Sequence, residues 1–127
     1  VVTYGQEEFP SFYSRKSGFT SPLRLDSGKE IATMLHAKWR LGLGGTVLIA
    51  NPVPADQEIE AVEMEIYIQQ ALTAAKERKI MGKEVTPFLL KYIAENTNGE
   101  SLEANIALIK HNAKVGAEIA VEYAAIK

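Results

Sequence analysis

The sequence has no cysteine among its 127 residues, which excludes disulfide bonds, thiolate metal ligands and a thiol nucleophile. Long apolar runs are also missing. The longest stretch without a charge, 41–55, is shorter than the roughly 20 apolar residues of a membrane helix and contains Pro52 and Pro54. Neither a transmembrane segment nor a signal peptide is predicted.

The chain also lacks a dominant charge. Its 14 basic and 16 acidic residues leave a formal net charge of -2. Such a balance gives no electrostatic reason to bind nucleic acid or an anionic membrane, so we expect neither partner. The lack of cysteine leaves the redox compartment open, and the ordinary expectation is a cytoplasmic protein. With 46% hydrophobic residues, the chain can bury one core of modest size.

The first residues, Val1-Val2-Thr3-Tyr4, form a β-branched run without an initiator methionine or a polar lead-in. We therefore expect a piece of a longer protein that opens on a short strand. The aromatic segment 9–13 follows and contains Pro10, which is compatible with a strand or a loop.

The middle of the chain predicts a helix followed by a strand. Ser27 and Glu30 have the spacing of a capping box, and Gly42 and Gly44 are expected to end the helix that they begin. The apolar, β-branched run 46–50 lies between glycines and a proline. This pattern is typical of a strand covered on both faces, so we expect it to be the central strand.

The sequence after residue 56 is helix-rich. An acidic entry over 56–65 and a basic end near residue 79 predict one long helix, because both suit the helix dipole. Thr86, followed by a proline, is expected to cap a second helix that stops near residue 96. Ser101 is expected to cap a third helix that runs nearly to Lys127.

Asn105 is the main candidate for a site residue. It lies on the first turn of the last helix, where free N–H groups and the dipole favour polar or anionic ligands. Asn105 and Asn112 both fall on a largely apolar stripe, where an amide without partners costs a few kcal/mol. Either they bond backbone groups of a neighbouring loop, or Asn105 points into a pocket and bonds a ligand hydroxyl or carbonyl.

Other motifs carry less chemistry. The glycines of 42–45 follow a helix and precede a strand, which is the reverse of the order in phosphate-binding loops. His36 and His111 have no ligand-type residue four positions later, so neither a metal site nor a catalytic triad is expected.

The remaining charged candidates are lysines and carboxylates. Lys83 and Lys91 do not lie in an apolar sequence that would desolvate an amine for Schiff-base chemistry. The carboxylates within 58–65 are more typical of a solvated helix entry than of an acid and base pair. The residues by themselves therefore predict no self-sufficient catalytic constellation.

Seven segments in a fixed order together resemble the C-terminal part of the indigoidine synthase A-like family, whose members are pseudouridine-5′-phosphate glycosidases. The resemblance covers the chain from end to end. The segments are Val1 to Gly5, Glu8 to Arg15, Pro22 to Ser27, Lys38 to Gly45, Ala50 to Pro54, Gly82 to Leu90 and Ser101 to Leu108.

The resemblance implies that residues 1–127 are the C-terminal part of one α/β/α three-layer domain with a mixed sheet. It implies a homotrimeric enzyme that reversibly cleaves the C–C glycosidic bond of pseudouridine 5′-phosphate to uracil and ribose 5-phosphate. A family lysine is expected to form an adduct with C1′, a glutamate to donate a proton, and an aspartate to hold a divalent metal ion, usually Mn²⁺. All three are expected in the part of the enzyme that precedes this chain.

Asn105 matches the asparagine that the family places in its active site, so the resemblance implies that it bonds the sugar or the base and orients the lysine adduct. Asn51 follows a strand, where open α/β sheets place ligands, and is a second candidate for binding substrate. Three possibilities stay open: part of a working glycosidase, an inactive fragment that only assembles, or a module that binds sugar phosphate without chemistry.

Overall fold

The computed structural model of the chain describes residues 1–126. Three short strands alternate with loops and one helix, and three further helices follow. The strands are β1 Val2–Tyr4, β2 Arg24–Leu25 and β3 Ile49–Ala50, and the helices are α1 Gly28–Arg40, α2 Ala61–Glu77, α3 Val85–Asn96 and α4 Glu100–Ala125. The predicted α/β class and the helix-rich part after residue 56 are confirmed.

The strands form a small parallel sheet in the order β2, β1, β3. The expectation that 46–50 is the central strand was wrong, because only Ile49–Ala50 pairs and β3 lies at the edge. Within residues 1–126 this run is hydrogen-bonded to one neighbour, β1, and Leu48 stays 55% exposed. The central position belongs to β1, whose Val2 and Thr3 are buried.

Helix α1 begins and ends as its sequence predicts. The Ser27 hydroxyl accepts a hydrogen bond from the Glu30 N–H at 3.2 Å, and the Glu30 carboxylate accepts from the Asp26 N–H at 2.8 Å. Gly42 follows the helix with φ 68°, a left-handed conformation that glycine adopts without strain. These local contacts account for the bounds of the helix.

The expected caps of α3 and α4 were wrong by a few residues. Thr86 lies inside α3, because a 3-10 turn over Gly82–Glu84 leads directly into the helix. Ser101 lies inside α4, and the N-cap is Gly99 with φ 84°. The Thr97 hydroxyl accepts from the Ser101 N–H at 3.2 Å, so the residue that ends α3 also serves the first turn of α4.

Helix α4 packs on α1, which lies between β2 and β3 in the chain, and on α3. It therefore connects the region of the sheet to the helices after residue 56. Its buried stripe contains Ala104, Leu108 and Val115, whereas the neighbouring apolar stripe with Leu102 and Ile109 is exposed. A shared core holds the loops and helices together; its buried members are Tyr13, Val53, Ile59, Met64, Ala71, Ile93, Ala104 and Leu108.

Helix α4 ends at Ala125, in line with the predicted run nearly to Lys127, and Lys127 itself lies outside the described residues. Segment 9–13 is a loop, held by an antiparallel bridge between Glu8 and Thr20. In the part of the chain described, none of the helices has the length and apolar character to cross a bilayer.

Candidate functional site

A cleft of about 570 Å³ lies at the carboxyl edge of the sheet. Its walls are loop 9–12, the end of β3 and one face of α4. Asn51 stands directly after β3, as predicted, and parallel sheets place ligands at this edge. The polar side chains that line the cleft are Ser11, Asn51 and Asn112, and the apolar side chains are Phe9, Pro10, Phe12, Leu48, Ile49, Ala50, Leu108, Val115 and Ile119.

The Asn51 side chain is held by α4. Its Nδ2 donates to the Asn112 Oδ1 at 2.9 Å and lies 3.0 Å from the His111 Nδ1. The amide of Asn112 thus meets a side chain, whereas the sequence left open a partner in the backbone of a loop. This network connects the end of a strand to a helix 60 residues later in the chain.

Two buried side-chain oxygens have no hydrogen-bond partner among the described residues: the Asn51 Oδ1, on the amide that this network holds, and the Thr3 Oγ1. Thr3 is fully buried on β1 and pairs in register with Ala50, the residue before Asn51. An unsatisfied buried polar group costs about 1–3 kcal/mol. The fold therefore carries a local cost at Asn51 and at the adjacent strand β1, and such costs are concentrated at functional sites.

Asn105 is half-buried and does not join Asn51. Among residues 1–126 its side chain is in no hydrogen bond, and it is absent from the lining of the cleft. It lies two helical turns before Asn112 on the same face of α4, a rise of about 10 Å. Its role stays a prediction, and the structure gives it no bonding partner within the fold.

A second, apolar cavity of about 400 Å³ lies between loop 11–18 and helices α2 and α3. Tyr13, Met64 and Ile93 are buried in its wall, and Lys16 and Glu65 stand at its polar margin. Burial raises the pKa of the Tyr13 hydroxyl, an effect that the Ser101 hydroxyl partly opposes. Tyr13 is therefore neutral over the physiological range.

Loop 9–18 separates the two spaces and contributes to both. The Glu8 carboxylate braces it by accepting from the backbone N–H groups of Ser17 and Gly18. These backbone N–H groups lower the pKa of Glu8, and the Lys16 charge adds to the effect. The loop is thus held by the partly exposed, ionised carboxylate of Glu8.

Metal ligands and free amines were two further possibilities that the sequence raised. Within residues 1–126, no three His, Asp or Glu side chains cluster closely enough to hold one. Lys83 and Lys91 are both exposed, and Lys91 lies 3.9 Å from Glu95, so neither amine is desolvated for nucleophilic chemistry.

The sequence pointed to Asn51 but missed its two partners. Asn112 carried a signal, since it is an amide on an apolar helical stripe, seven residues after Asn105. The spacing around His111 argues only against a metal or triad role. Nothing in the local pattern connects it to Asn51, because the contact spans 60 residues.

Comparison with known proteins gives matches over almost the whole chain. The family model described as "Indigoidine synthase A like protein" matches residues 1–122. A pseudouridine-5′-phosphate glycosidase from Nocardioides is 52% identical over 100% of this chain and 41% of its own length. One from Deinococcus radiodurans is 52% identical over 98% of this chain and 40% of its length.

Solved structures give the same result. An indigoidine synthase A-like protein from Thermotoga maritima matches with a TM-score of 0.82 at 40% identity, over 95% of this chain and 39% of that one. The prealnumycin C-glycosynthase AlnA, solved with ribulose 5-phosphate, matches with a TM-score of 0.84 at 25% identity, over 98% and 41%. The chain thus spans about two fifths of the length of the relatives that it matches.

Proposed function

The chain belongs to the indigoidine synthase A-like family, and from this premise we propose that it is the C-terminal part of a pseudouridine-5′-phosphate glycosidase. The observation that carries the proposal is the identity of about half of all residues with glycosidases of that name along the full chain. In the proposed reaction, the C–C glycosidic bond is cleaved reversibly to give uracil and ribose 5-phosphate.

The likeness to AlnA supports the substrate class. That protein is named a C-glycosynthase and was solved with a five-carbon sugar phosphate. A chain with the same fold is suited to hold a sugar phosphate during the formation or cleavage of a C–C glycosidic bond. We place the substrate of this enzyme partly in the cleft that Asn51 and Asn112 line.

The catalytic groups come from outside this chain in our proposal. A C–C bond to an unactivated carbon has no good leaving group, so in the proposed step a lysine amine first displaces the ring oxygen from C1′, and that oxygen becomes a hydroxyl. The nitrogen lone pair then forms an iminium as the C–C bond breaks, while the bond pair goes to the uracil carbon, which takes a proton from a glutamate, and water releases the sugar from the iminium. The chain contributes orientation: Asn105 bonds the sugar or base beside the adduct, and Asn51 binds substrate. A manganese ion would take its ligand from the same preceding part.

We also propose that residues 1–127 form one domain with that preceding part and that the complete enzyme is a cytoplasmic homotrimer. A domain completed in this way would cover apolar side chains that are now exposed, such as Leu48 and Ile109. Nucleic acid and membranes are not partners in this proposal.

Uracil release from pseudouridine 5′-phosphate tests the proposal in two samples. The purified chain should release none, whereas a chimera that joins this chain to the preceding part of the Nocardioides glycosidase should release uracil. Turnover by the chain alone would contradict the assignment of the catalytic groups. A folded, trimeric chimera without turnover would favour the alternative of an inactive assembly fragment, and saturable ribose 5-phosphate binding by that chimera would favour a binding module.

A further inference from the structure

We propose that the exposed apolar stripe of α4 is the surface on which a helix from the preceding part of the same enzyme polypeptide packs. The identity of that partner rests on the proposed function, in which this chain is the C-terminal part of a longer enzyme. The shape of the surface rests on this chain alone. The outer stripe, as we call it, consists of Leu102, Ile106, Ile109, Ala113, Gly116 and Ala120.

The spacing of the outer stripe indicates that its partner is a helix. Its residues follow one another at alternating steps of four and three, which is the seven-residue repeat of helices that pack side by side. The stripe rises about 27 Å along α4. Its three large side chains are 44–59% exposed, and its three small residues are exposed as well. The stripe carries no charge, because the charged side chains nearest to it in the chain lie on another side of α4: Glu103, Lys110, Lys114 and Glu118.

Gly116 indicates how closely the partner approaches. Glycine inside a helix is less favourable than alanine, so its presence there calls for a reason. A Cβ at this position would meet no atom of residues 1–126 within 4 Å outside its own stretch of helix, so packing within the chain does not require glycine. The stripe residues on either side, Ala113 and Ala120, are also small. We therefore expect the partner helix to come closest to α4 at Gly116.

The preceding part of the enzyme is favoured as the partner by size and by position. About three fifths of the length of the matched glycosidases lies outside this chain. Gly116 and Leu48 line the same cleft, so the outer stripe continues into β3, which has a free edge among the described residues. Further strands and helices of the same domain would cover both, since parallel sheets are buried on both faces.

A second copy of the chain fits the outer stripe less well. A strip about 27 Å long and about 10 Å wide has an area of about 300 Å². Each partner in a typical stable complex buries about 800 Å². The stripe is therefore too small to hold two copies together by itself, whereas it matches the contact surface of one helix.

A helix on the outer stripe would lie beside Asn105. This residue comes three positions after Leu102 and four before Ile109, so it borders the stripe on the surface of α4. Its side chain is half-buried and is in no hydrogen bond among residues 1–126. The packed helix would thus bring the preceding part next to the amide that, in the proposed function, bonds the sugar or the base.

Thiol labelling of the chimeric enzyme tests whether the outer stripe is covered. The chain has no cysteine, so Ala113→Cys adds one thiol on the stripe and Lys114→Cys adds one on the charged side of α4. Maleimide modification, read at each position by peptide mass spectrometry, should be about tenfold slower at 113 than at 114 in the chimera, because labelling then needs local opening. The 127-residue chain alone should show similar rates. Equal rates in the chimera, or protection of 113 in the chain alone, would overturn the proposal.

Gly116→Ala tests the close approach. In the 127-residue chain the added Cβ meets open space and alanine favours the helix, so the melting temperature should rise by a few degrees. In the chimera the same Cβ should meet the packed helix, and the melting temperature should fall. Lys114→Ala is the matched control and should shift both proteins alike. A rise in both proteins for Gly116→Ala would contradict the packing that we propose.

Photo-crosslinking identifies the partner. With p-benzoylphenylalanine at position 109, the chimera should form a cross-link within one polypeptide that maps to the part preceding this chain. A cross-link between two copies, or none, would refute this partner. Uracil release is measured separately. A chimera that cross-links as expected but releases no uracil would count against the proposed function and would still support the packing of the helix.

Discussion

The cleft at the sheet edge and the cavity between α2 and α3 are of similar size and are both lined mostly by apolar side chains, but they differ in their remaining groups. The cleft of about 570 Å³ has the amides of Asn51 and Asn112 in its lining, and the Asn51 Oδ1 has no partner among the described residues, whereas the wall of the cavity of about 400 Å³ contains the buried core side chains Tyr13, Met64 and Ile93. Loop 9–18 borders both. The two spaces therefore share a wall but differ in what their residues do for the fold.

The difference separates stability from function. Apolar side chains around the cavity belong to the shared core, so their removal lowers the free energy of unfolding. The polar groups of the cleft add little to stability and leave hydrogen-bonding capacity unused. We expect substitutions around the cavity to unfold the protein and substitutions around the cleft to change binding or turnover.

The largest effect is expected from Ile93→Ala at the cavity. Ile93 is 2% exposed and belongs to the core, so we expect a loss of about 2–5 kcal/mol in the free energy of unfolding, measured by urea denaturation of the 127-residue chain. The matched control is Ile66→Ala, because Ile66 is 57% exposed on α2 and should cost well under half as much. Equal losses in the two variants would show that the cavity wall is not part of the core.

Asn105→Ala tests whether the functional surface extends along α4 beyond the cleft. Because Asn105 has no partner among the described residues, the substitution should change the unfolding free energy little, yet it should lower turnover of the chimeric enzyme about tenfold or more. Asn96→Ala removes an exposed amide on α3 and should leave turnover unchanged. Unfolding by Asn105→Ala with normal activity of the folded fraction would assign Asn105 a structural role instead.

Thr3→Val examines the cost of an unpaired hydroxyl on β1, the strand beside β3, at whose end Asn51 stands. The hydroxyl of Thr3 is buried and has no partner among residues 1–126, so its replacement by a methyl group should be neutral or should stabilise the chain by up to about 1 kcal/mol. The same change at Thr97 should destabilise by about 1 kcal/mol or more, because that buried hydroxyl donates to the Ile93 carbonyl oxygen at 2.8 Å. Thermal denaturation of both variants decides the comparison, and a Thr3→Val loss as large as that of Thr97→Val would reveal an unrecognised partner.

The smallest effect concerns the loop that the two spaces share. The pKa of Glu8 is lowered below its ordinary value of 4.5, so its contribution to stability is present above that value and is lost as the pH falls through the folded-state pKa. Glu8→Gln should therefore behave like the parent chain at low pH and be slightly less stable at neutral pH. Stability curves of both proteins against pH provide the measurement, and parallel curves throughout would mean that Glu8 does not brace the loop.

Elements set by local chemistry were predictable from the sequence. The Ser27 and Glu30 spacing defined the start of α1, and acidic entry with a basic end defined α2, because capping and dipole effects act within one or two turns. The starts of α3 and α4 were predicted too late in the chain, because a 3-10 turn leads directly into α3 and the left-handed Gly99 is the N-cap of α4. Local signals mark a helix more reliably than they mark its first residue.

Contacts between distant segments were not predictable. The apolar run 46–50 has the composition of a central strand. Within the described residues, however, β1 pairs with both β2 and β3, so β3 lies at an edge. Likewise, the sequence placed Asn51 at the end of a strand without showing that α4 would hold it. Periodicity describes which face of an element is apolar and does not specify the neighbour that covers it.

The sequence by itself determined the α/β class, the helix-rich part after residue 56 and the family. Capping and apolar periodicity depend on short stretches of the chain, and the motifs and their order can be identified without knowing how those stretches pack. Only the tertiary structure decided the order of the sheet and the contacts among Asn51, His111 and Asn112. The physical reason is that a hydrogen bond across 60 residues depends on how the strand and the helix pack.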